Sequence, residues 1–369
     1  MKVMFITPDY PPKHGGIQVL VHRVATHLAG HETLVVTPDA PGGSEFDRGS
    51  ETRVRRVRMR LPSRAGQIAA LNAAAVAEGI AFRPDVVVSA HIVTSPAAAA
   101  ISTVTGAPFV QYLYASEVHD RERLARFAVR RAAAVVAISA HTASLARAVG
   151  ADPAGLHVIP PGVDLPDQAP NGSPRRPAIL TISRLEERYK GHDVMIRALP
   201  IVTSQVPDAE WVVVGDGPLR PHLEDLAAAT GVAGSVRWLG RVDDDERDRW
   251  LRSASVFAMP SRLGAGGSGG EGFGIVCMEA SAHGVPVVAG DAGGTTDSVV
   301  DGETGVLVDA TDHIAVAGAI TDLLRDPARA EEMGRAGVER ADDFAWRHVA
   351  ARVERLLETV VETKRGPAG

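Results

Sequence analysis

Residues 255–280 read SVFAMPSRLGAGGSGGEGFGIVCMEA, and they contain a strand, a glycine-rich loop and a helix in succession. Val256–Met259 is apolar on both faces, as expected of a parallel strand buried between two layers of helices. The loop that follows is rich in glycine, and a segment of helical composition begins after Phe273. Strand, loop and helix in this order form the repeating unit of doubly wound α/β domains.

The same alternation runs through nearly the whole chain. The first series of predicted strands is Val3–Thr7, Thr33–Thr37, Val86–Ser89, Phe109–Leu113, Val135–Ile138 and Val158–Pro160. The second series is Ile179–Ser183, Trp211–Val214, Val236–Leu239, Val256–Met259, Val287–Ala289 and Val306–Val308. Residues 162–177, rich in Pro, Asp, Asn and Gly, lack periodicity and are predicted to be the linker.

The fold class predicted is therefore α/β, with two Rossmann-like, doubly wound parallel-sheet domains facing each other across a cleft. Residues 1–162 form the first domain and residues 178–345 the second. A last helix, at about 346–363, has no strand after it. One interpretation is that this helix packs back on the first domain.

The composition sets limits on the function. The chain has 369 residues, of which 45% are hydrophobic and 23% charged, as is typical of a globular protein. The net charge of −6 gives no general attraction for nucleic acid. One cysteine, Cys277, excludes an intrachain disulfide and a cysteine-based zinc cluster.

Membrane-spanning and secretion signals are not expected. The apolar run at Met1–Thr7 is too short for the core of a signal peptide. No run approaches the roughly 18 apolar residues that a membrane span needs. These features predict a cytoplasmic protein that lies at most on the inner membrane surface.

Ligands of such domains bind at the carboxyl ends of the strands, so the loops there carry the candidate site. The first loop ends in Gly15 and Gly16 before a helix. Paired glycines let the backbone approach a ligand, and free amides at the positive end of the helix attract an anion. The alternative is a plain turn. Gly290–Thr296 repeats this arrangement of a strand, paired glycines and a helix start. Gly215-Asp216-Gly217-Pro218 also follows a strand, but a turn and helix start explain it at least as well as a ligand site does.

Two cations follow the first strand of the second domain, in the stretch SRLEERYKG at 183–191. Arg184 lies at the strand end and Lys190 at the start of the next helix. A guanidinium and an ammonium so placed can hold a diphosphate. The alternative is that Arg184 forms surface salt bridges with Glu186 or Glu187, which would contribute only about 0–1 kcal/mol.

Two carboxylates accompany the glycine-rich loop. Glu271 lies just before the predicted helix and Glu279 about two turns into it, so both can face one ligand. The helix start offers amides to an anion. Because phosphates repel carboxylates, these glutamates are predicted to accept hydrogen bonds from sugar or ribose hydroxyls.

Other conspicuous groups have simpler explanations. Asp243-Asp244-Asp245 looks like a metal-binding cluster, yet Asp243 and Glu246 also match a helix capping box, which we favour. No H-E-x-x-H pattern is present. The prediction is that the protein needs no metal.

Two stretches are basic. The first contains Arg53, Arg55, Arg56, Arg58 and Arg60, and the second contains Arg121, Arg123, Arg126, Arg130 and Arg131. A solvated face is the default interpretation of both. The alternative is a surface for acidic lipid head groups, giving peripheral membrane contact, or for an anionic acceptor.

Taken together, SRLEERYKGHD, the GDGP turn and EGFGIVCME resemble the retaining glycosyltransferases of family 4, which have the GT-B fold. The order and separation of these motifs also fit, over nearly the whole chain. The stretches PPKHGGIQ and MPSR…GG…EGFGIV resemble the bacterial phosphatidylinositol mannoside mannosyltransferases within that family.

The resemblance implies a role for each matching position. Arg184 and Lys190 would hold the donor diphosphate and neutralise the leaving phosphate. Glu279 would bind the ribose, and Glu271 with the amides of Gly272, Phe273 and Gly274 would hold the donor sugar. Gly15 and Gly16 would lie near the phosphates, and the backbone at Val242 near the base.

The resemblance also implies the reaction and its partners. A hexose would move, with retention and without a metal or other cofactor, from a nucleotide-diphospho-sugar, GDP-mannose in the first instance, to a hydroxyl acceptor that is lipid-linked or anionic. Retention by same-face attack needs cationic stabilisation of the leaving group more than a protein nucleophile. Arg184 and Lys190 are therefore the principal predicted catalytic residues, with Glu271 beside them.

One departure from the family pattern concerns the first domain. Where many members have a histidine after the strand, this chain has Tyr114, and His119 follows five residues later. Either His119 is the catalytic histidine on a shifted loop, or Tyr114 and Glu117 take over. With Asp9, Tyr114 and Glu117 are the candidates for contacts to sugar or acceptor.

Two other functions stay open on the sequence alone. One is a nucleotide-sugar epimerase or mutase of similar fold. The other is a protein that binds a nucleotide-sugar without catalysis, which would neither hydrolyse the donor nor transfer its sugar.

Overall fold

The computed structural model describes residues 1–13, 15–28, 30–58, 62–167, 177–264 and 269–365. The chain divides into two compact units. The first contains residues 1–162 and the C-terminal segment from Trp346, and the second contains Val163–Ala345. Each unit is built on one parallel sheet, which confirms the predicted fold class of two Rossmann-like domains.

The first unit has a seven-stranded sheet with the order β3-β2-β1-β4-β5-β6-β7. Its strands are β1 (Lys2–Ile6), β2 (Glu32–Pro38), β3 (Arg53–Val57), β4 (Val86–Ser89), β5 (Phe109–Leu113), β6 (Ala134–Ala137) and β7 (Leu156–Val158). Its helices are α1 (Gly16–His27), α2 (Gly43–Arg48), α3 (Arg64–Phe82), α4 (Ser95–Thr105), α5 (Ala115–Asp120), α6 (Glu122–Arg131), α7 (Ala140–Ala148) and α15 (Trp346–Arg365). Helix α15 packs against α1, and Arg365 donates to Asp85 at 2.7 Å.

The second unit has a six-stranded sheet with the order β10-β9-β8-β11-β12-β13. Its strands are β8 (Ala178–Ile182), β9 (Glu210–Val214), β10 (Val236–Gly240), β11 (Val256–Met259), β12 (Val287–Gly290) and β13 (Gly305–Val308). Its helices are α8 (His192–Gln205), α9 (Arg220–Ala229), α10 (Asp244–Ser253), α11 (Ile275–Ala282), α12 (Thr295–Ser298), α13 (His313–Arg325) and α14 (Pro327–Asp343).

Alternating side chains of the second sheet fill two separate cores. Ile179, Trp211 and Val213 face the core that contains residues of α8, α9 and α13. Leu180 and Val212 face the core that contains residues of α10 and α11. Because strand side chains alternate with period two, these helices cover opposite faces of the sheet.

The predicted strands agree with the structure to within one or two residues. Arg53–Val57, which is not among the predicted strands, forms β3 at the edge of the first sheet. Most of the predicted linker, 168–176, lies outside the described residues. At its start, Val163 donates to the Phe344 carbonyl at 2.8 Å and so belongs to the second unit.

One expectation from the sequence needs correction. By length and composition alone α3 is apolar enough to cross a membrane, with a mean hydropathy of 1.3 over its best window. Its alanines raise the hydropathy without forming a continuous run of large apolar residues. In the structure α3 packs against α4 and buries Leu71, Ala75 and Phe82, while most of its other residues are at least partly exposed.

Candidate functional site

The order of the strands marks where a ligand binds in the second unit. Strands β8 and β11 are neighbours, but the chain leaves them toward opposite edges of the sheet. Ligands of doubly wound sheets bind at this topological switch point, beyond the carboxyl ends of the strands. The loop after β8 carries Arg184 and Lys190, and the loop after β11 leads to Glu271.

Close backbone contacts hold these loops in place. Arg262 N, after β11, donates to the Tyr189 carbonyl at 2.8 Å. Gly191 has a φ of 80°, and a Cβ there would lie 2.1 Å from the Pro260 carbonyl oxygen. A side chain at this position would push the two loops apart, so glycine is required by packing as well as by conformation.

The GDGP turn supports the Arg184 loop from the other side. Ser183 N donates to the Val214 carbonyl at 3.0 Å, and Leu185 N donates to the Asp216 carbonyl at 3.1 Å. A Cβ on Gly215 would lie 1.9 Å from the Ser183 carbonyl oxygen. The turn therefore has a structural role in positioning Arg184.

Lys190 and Glu271 form an ion pair between the two loops. Their side chains are only 12% and 15% exposed. Burial opposes the charged form of Lys190, but the Glu271 carboxylate outweighs burial and raises the pKa of the ammonium. Lys190 is thus a fixed positive charge at the switch point, located just before α8 instead of within it.

Arg184 makes the surface contacts that the sequence offered as the alternative. Its guanidinium lies 3.1 Å from Glu186 and 3.0 Å from Glu187, and its side chain is 63% exposed. Exposed pairs of this kind contribute about 0–1 kcal/mol. Because the pairing is weak, it leaves the guanidinium able to exchange partners.

Helix α11 begins at Ile275, and Gly274 precedes it with a φ of 87° and no side-chain cap. The first amides of α11 are consequently available to an anion. The Phe273 side chain is 2% exposed and packs against Phe344, so only the backbone of this residue can contact a ligand. Gly272 precedes it, and Gly294 N donates to the Glu271 carbonyl at 2.8 Å.

Glu279 lies in the second turn of α11, somewhat nearer the helix start than the sequence suggested. Its carboxylate pairs with Arg247 of α10. Burial disfavours the charged form of Arg247, yet Glu279 raises its pKa above the ordinary value. Arg247 was not predicted from the sequence, since nothing in the pattern of α10 distinguishes it from the neighbouring arginines.

The residues before α10 occupy simpler roles. The Asp243 carboxylate accepts from Glu246 N at 2.8 Å and so caps the helix, as favoured from the sequence. Val242 is partly buried and packs against the core beneath α10 and α11. Its backbone lies at the carboxyl end of β10, at the same edge of the sheet as Arg184.

The first residue of α8 is a buried histidine. His192 Nε2 lies 2.7 Å from the Ser183 hydroxyl. Burial, followed by the positive charge of Lys190, lowers the pKa of His192 to about 4. The imidazole is therefore neutral near pH 7 and adds no charge to the site.

In the first unit, the loop after β1 reaches α1 through Gly15 and Gly16, and no side chain caps that helix. Asp9 accepts from the Gln18 side chain at 3.3 Å. Arg56 of β3 donates to Asp47 and, at 2.7 Å, to the Pro11 carbonyl. His14 lies outside the described residues.

The three candidates after β5 are not equivalent. The Tyr114 hydroxyl is buried without a hydrogen-bond partner among the described residues. Burial, with additions from Glu117 and Asp9, raises the pKa of Tyr114, so the hydroxyl keeps its proton. His119 has an exposed side chain in the last turn of α5 and does not accompany Tyr114 into the interior.

Glu117 has a structural role that the sequence did not reveal. It is 5% exposed, and its carboxylate accepts from Ile92 N at 3.0 Å and Tyr114 N at 3.1 Å. It also pairs with His91, after β4. Strands β1 and β4 meet at the switch point of the first sheet, so His91 is a further residue at that place.

The two basic stretches differ. In β3, Arg55 pairs with Glu78 and Arg56 is buried against Asp47, so these arginines are engaged within the protein, while Arg60 lies outside the described residues. In α6, Arg123, Arg130 and Arg131 are exposed beside Phe127, which is 39% exposed. Only α6 keeps the amphipathic, basic surface that the sequence suggested.

Comparison with known proteins identifies two matching family models. Residues 14–166 match the model described as Glycosyltransferase Family 4. Residues 166–340 match the model described as Glycosyl transferases group 1. The two matches together cover most of both units.

Relatives match over nearly their full length. The chain is 35% identical to the GDP-mannose-dependent alpha-(1-6)-phosphatidylinositol monomannoside mannosyltransferase of Mycolicibacterium smegmatis, covering 96% of this chain and 98% of that protein. It is 29% identical to the monoacylated-substrate enzyme of that type from Corynebacterium glutamicum, covering 97% and 98%.

Solved structures share the fold. Anabaena HepE in complex with UDP and glucose superposes with a TM-score of 0.80 at 22% identity, over 97% of this chain and 100% of that one. Sucrose-phosphate synthase from Thermosynechococcus elongatus gives a TM-score of 0.82 at 20% identity, over 97% and 98%.

Proposed function

The chain belongs to the family 4 glycosyltransferases and is a hexosyltransferase, and from this premise we propose that it moves mannose from GDP-mannose to a hydroxyl of an inositol-containing, lipid-linked acceptor. The observation that carries the proposal is the buried pair of Lys190 and Glu271 at the switch point of the second unit. The activities of the relatives that match over nearly their full length favour GDP-mannose as donor and a phosphatidylinositol mannoside as acceptor.

Lys190 and Arg184 hold the donor diphosphate in this proposal. An ammonium has three donors, so Lys190 can keep Glu271 and still bind a phosphate oxygen. Arg184 exchanges its weak surface partners for the other phosphate, to which it can donate two parallel hydrogen bonds. The amides at the start of α11 complete the anion site.

The pairing of Lys190 with Glu271 also explains how a carboxylate can lie beside the donor diphosphate. A bare carboxylate would repel the diphosphate, but Lys190 neutralises Glu271. Glu271 can then accept hydrogen bonds from sugar hydroxyls beside the phosphates. Glu279, held by Arg247 in the second turn of α11, accepts from the ribose hydroxyls.

The reaction retains the configuration of the sugar in this proposal. The acceptor hydroxyl attacks the face that the diphosphate leaves, and it passes its proton to the departing phosphate oxygen. Charge develops on that oxygen as the glycosidic bond breaks, so Lys190 and Arg184 stabilise the transition state more than the bound donor. No protein nucleophile and no metal ion takes part.

The location proposed is the cytoplasm, with contact to the inner membrane surface through α6. Its exposed arginines face outward beside Phe127, a combination that suits anionic lipid head groups. A lipid-linked acceptor would then be met at the surface where it resides.

A thermal-shift panel tests the donor. GDP, UDP, ADP and dTDP, each alone and as the mannose or glucose conjugate, are added to the protein, because a ligand of the folded state raises its melting temperature. We expect GDP and GDP-mannose to give the largest shifts. An equal or larger shift with UDP would overturn the donor assignment.

Transfer is then measured with GDP-mannose and vesicles containing a phosphatidylinositol mannoside. We expect acceptor-dependent release of GDP, a product with the anomeric configuration of the donor by NMR, and full activity in EDTA. Donor binding without transfer to any acceptor would leave a binding protein, and loss of activity in EDTA would contradict the metal-independent mechanism.

A further inference from the structure

The second unit has a small pocket on its α8–α9 side. Its volume is about 70 Å³, well below the roughly 300–1,000 Å³ of pockets that enclose a whole small molecule. It has room for one small group. Its walls are Arg188, His192, Asp193, Arg197, Leu219, His222, Leu223 and Arg262.

The walls carry more positive than negative charge. Arg262 donates to Asp193 at 2.9 and 3.2 Å, and Arg197 donates to the same carboxylate at 3.0 Å. Burial would raise the pKa of Asp193, but these hydrogen bonds lower it, so the carboxylate is ionised. One carboxylate thus serves two guanidiniums.

A third guanidinium adds to the excess. Arg188 lies in the 3-10 turn before α8 and forms no ion pair with any residue that the structure describes. The three arginines and the single aspartate leave an excess of two positive charges, while the neighbouring His192 is neutral. An anion bound there would balance this charge.

Arg262 shows where that anion would sit. Its Nη1 is buried and has no acceptor within the described part of the chain. A buried donor without a partner costs about 1–3 kcal/mol, more for a charged group, so such atoms in folded proteins call for an explanation. An acceptor oxygen in the pocket would satisfy it.

This pocket is separate from the proposed ribose contact. Asp193, Arg197 and Leu223 belong to α8 and α9, whose side chains fill one core of the sheet. Glu279 and Arg247 belong to α11 and α10, on the opposite face. A group bound beside Arg262 would therefore occupy a different place from the ribose of the donor.

We propose that the pocket binds a phosphoryl group, with Arg262 and Arg188 donating to its oxygens and Arg197 at its edge. Guanidinium groups suit phosphate because their parallel N–H groups match two of its oxygens. The group belongs either to a soluble phosphate ester or to a phospholipid head group, which share this chemistry. Arg188 lies in the same loop as Arg184 and Lys190, and the site is proposed in addition to the diphosphate clamp of the proposed function.

Calorimetric titration with inorganic phosphate tests the site in four variants beside the unaltered chain. Arg262→Gln and Arg188→Gln remove pocket donors, Arg184→Gln removes the clamp, and Arg325→Gln is a matched exposed arginine in α13. We expect saturable binding that weakens roughly tenfold or more in both pocket variants, since each loses a charge-assisted hydrogen bond. Arg325→Gln should bind as the unaltered chain does, and Arg184→Gln should keep the phosphate binding that the pocket variants lose.

Three results would overturn the proposal: no saturable phosphate binding, unchanged binding in Arg188→Gln, or loss of all phosphate binding in Arg184→Gln. Arg188→Gln keeps the test decisive if Arg262→Gln fails to fold, because Arg188 supports no other residue. Vesicles of phosphatidic acid in phosphatidylcholine separate the two sources. If inorganic phosphate displaces the protein from these vesicles, and Arg188→Gln abolishes that displacement, the bound group is a lipid phosphate. If inorganic phosphate does not affect vesicle binding, the bound group belongs to a soluble ester.

Discussion

Each unit buries a glutamate beside a switch point, but the two carboxylates have different partners. In the second unit, Glu271 faces the ammonium of Lys190, which comes from a loop 81 residues away in the chain. In the first unit, Glu117 accepts from two backbone amides and pairs with His91. Both carboxylates have hydrogen-bond partners, but only the partner of Glu271 has further N–H donors.

The difference distinguishes a candidate binding residue from a structural one. Backbone amides have one proton each, and those held by Glu117 cannot turn to a ligand without opening the start of α5 or the turn after β4. An ammonium has three protons and can share them between a carboxylate and a phosphate. A buried charge is therefore a stronger sign of a site when its partner is a flexible side chain from another loop.

The largest effect is expected from Lys190→Ala. It removes the proposed leaving-group contact and leaves Glu271 as an unpaired buried carboxylate. We expect kcat/KM for the donor to fall by roughly 100-fold or more, and the free energy of unfolding to fall by about 3–5 kcal/mol. Steady-state kinetics and urea unfolding measure the two losses.

Two controls make that result specific. Lys364→Ala changes an exposed lysine of the first unit, near the end of α15, and should alter neither quantity. The double variant Lys190→Ala, Glu271→Gln should recover stability without recovering activity, because it removes the unpaired charge but not the need for a cation. Near-normal activity in Lys190→Ala would refute the proposed clamp.

Glu117→Ala should affect stability more than catalysis. It leaves two buried amides without acceptors, at about 1–3 kcal/mol each, so we expect the free energy of unfolding to fall by roughly 2–4 kcal/mol. The kcat per folded molecule should change little. Glu122→Ala, on the exposed side of α6, is the matched control, and a large loss of kcat with normal stability would give Glu117 a catalytic role.

The pH dependence of stability offers a third contrast. The folded-state pKa of His192 is about 4, below the roughly 6.5 of an unfolded histidine, so the unfolded chain binds more protons between those values. The contribution of neutral His192 to the free energy of unfolding is fully present above pH 6.5. As the pH falls toward 4, this contribution of about 3 kcal/mol is lost. His192→Gln should remove this loss, measured by urea unfolding from pH 7 to pH 4.

The exposed His119 supplies the control for that measurement. His119→Gln should leave the pH profile of the parent unchanged. If the free energy of unfolding of His192→Gln falls with pH as steeply as that of the parent, the prediction that His192 is buried in its neutral form is wrong.

The sequence was sufficient for the sheets because buried parallel strands have a composition of their own. Val86–Ser89, Phe109–Leu113 and Val256–Met259 were predicted with their observed bounds. Strand ends then placed Arg184, Lys190 and Glu271 at one edge of one sheet, since carboxyl ends of parallel strands lie together. The family motifs supplied the rest of that site.

The partners of these residues were not predictable in the same way. Arg247 meets Glu279, and His91 meets Glu117, only because helices and loops distant in sequence pack side by side. Periodicity gives the face of a helix but not which of its charged residues will reach across to a neighbour. The sequence offered Glu117 as a sugar contact for this reason, and its backbone partners became visible only in the fold.

The smallest effect, and the most informative about the first unit, is expected from Tyr114→Phe. The Tyr114 hydroxyl is buried, protonated and unpaired in the described chain, so its removal should change the free energy of unfolding by no more than about 1 kcal/mol. If it donates to the sugar or acceptor, kcat/KM should fall roughly 3- to 10-fold, the value of one neutral hydrogen bond. His119→Ala alters an exposed side chain and should change kcat/KM less than about twofold. Kinetics of both variants decide which residue stands in for the family histidine: a larger loss in His119→Ala than in Tyr114→Phe would show that α5 moves to bring His119 to the substrate.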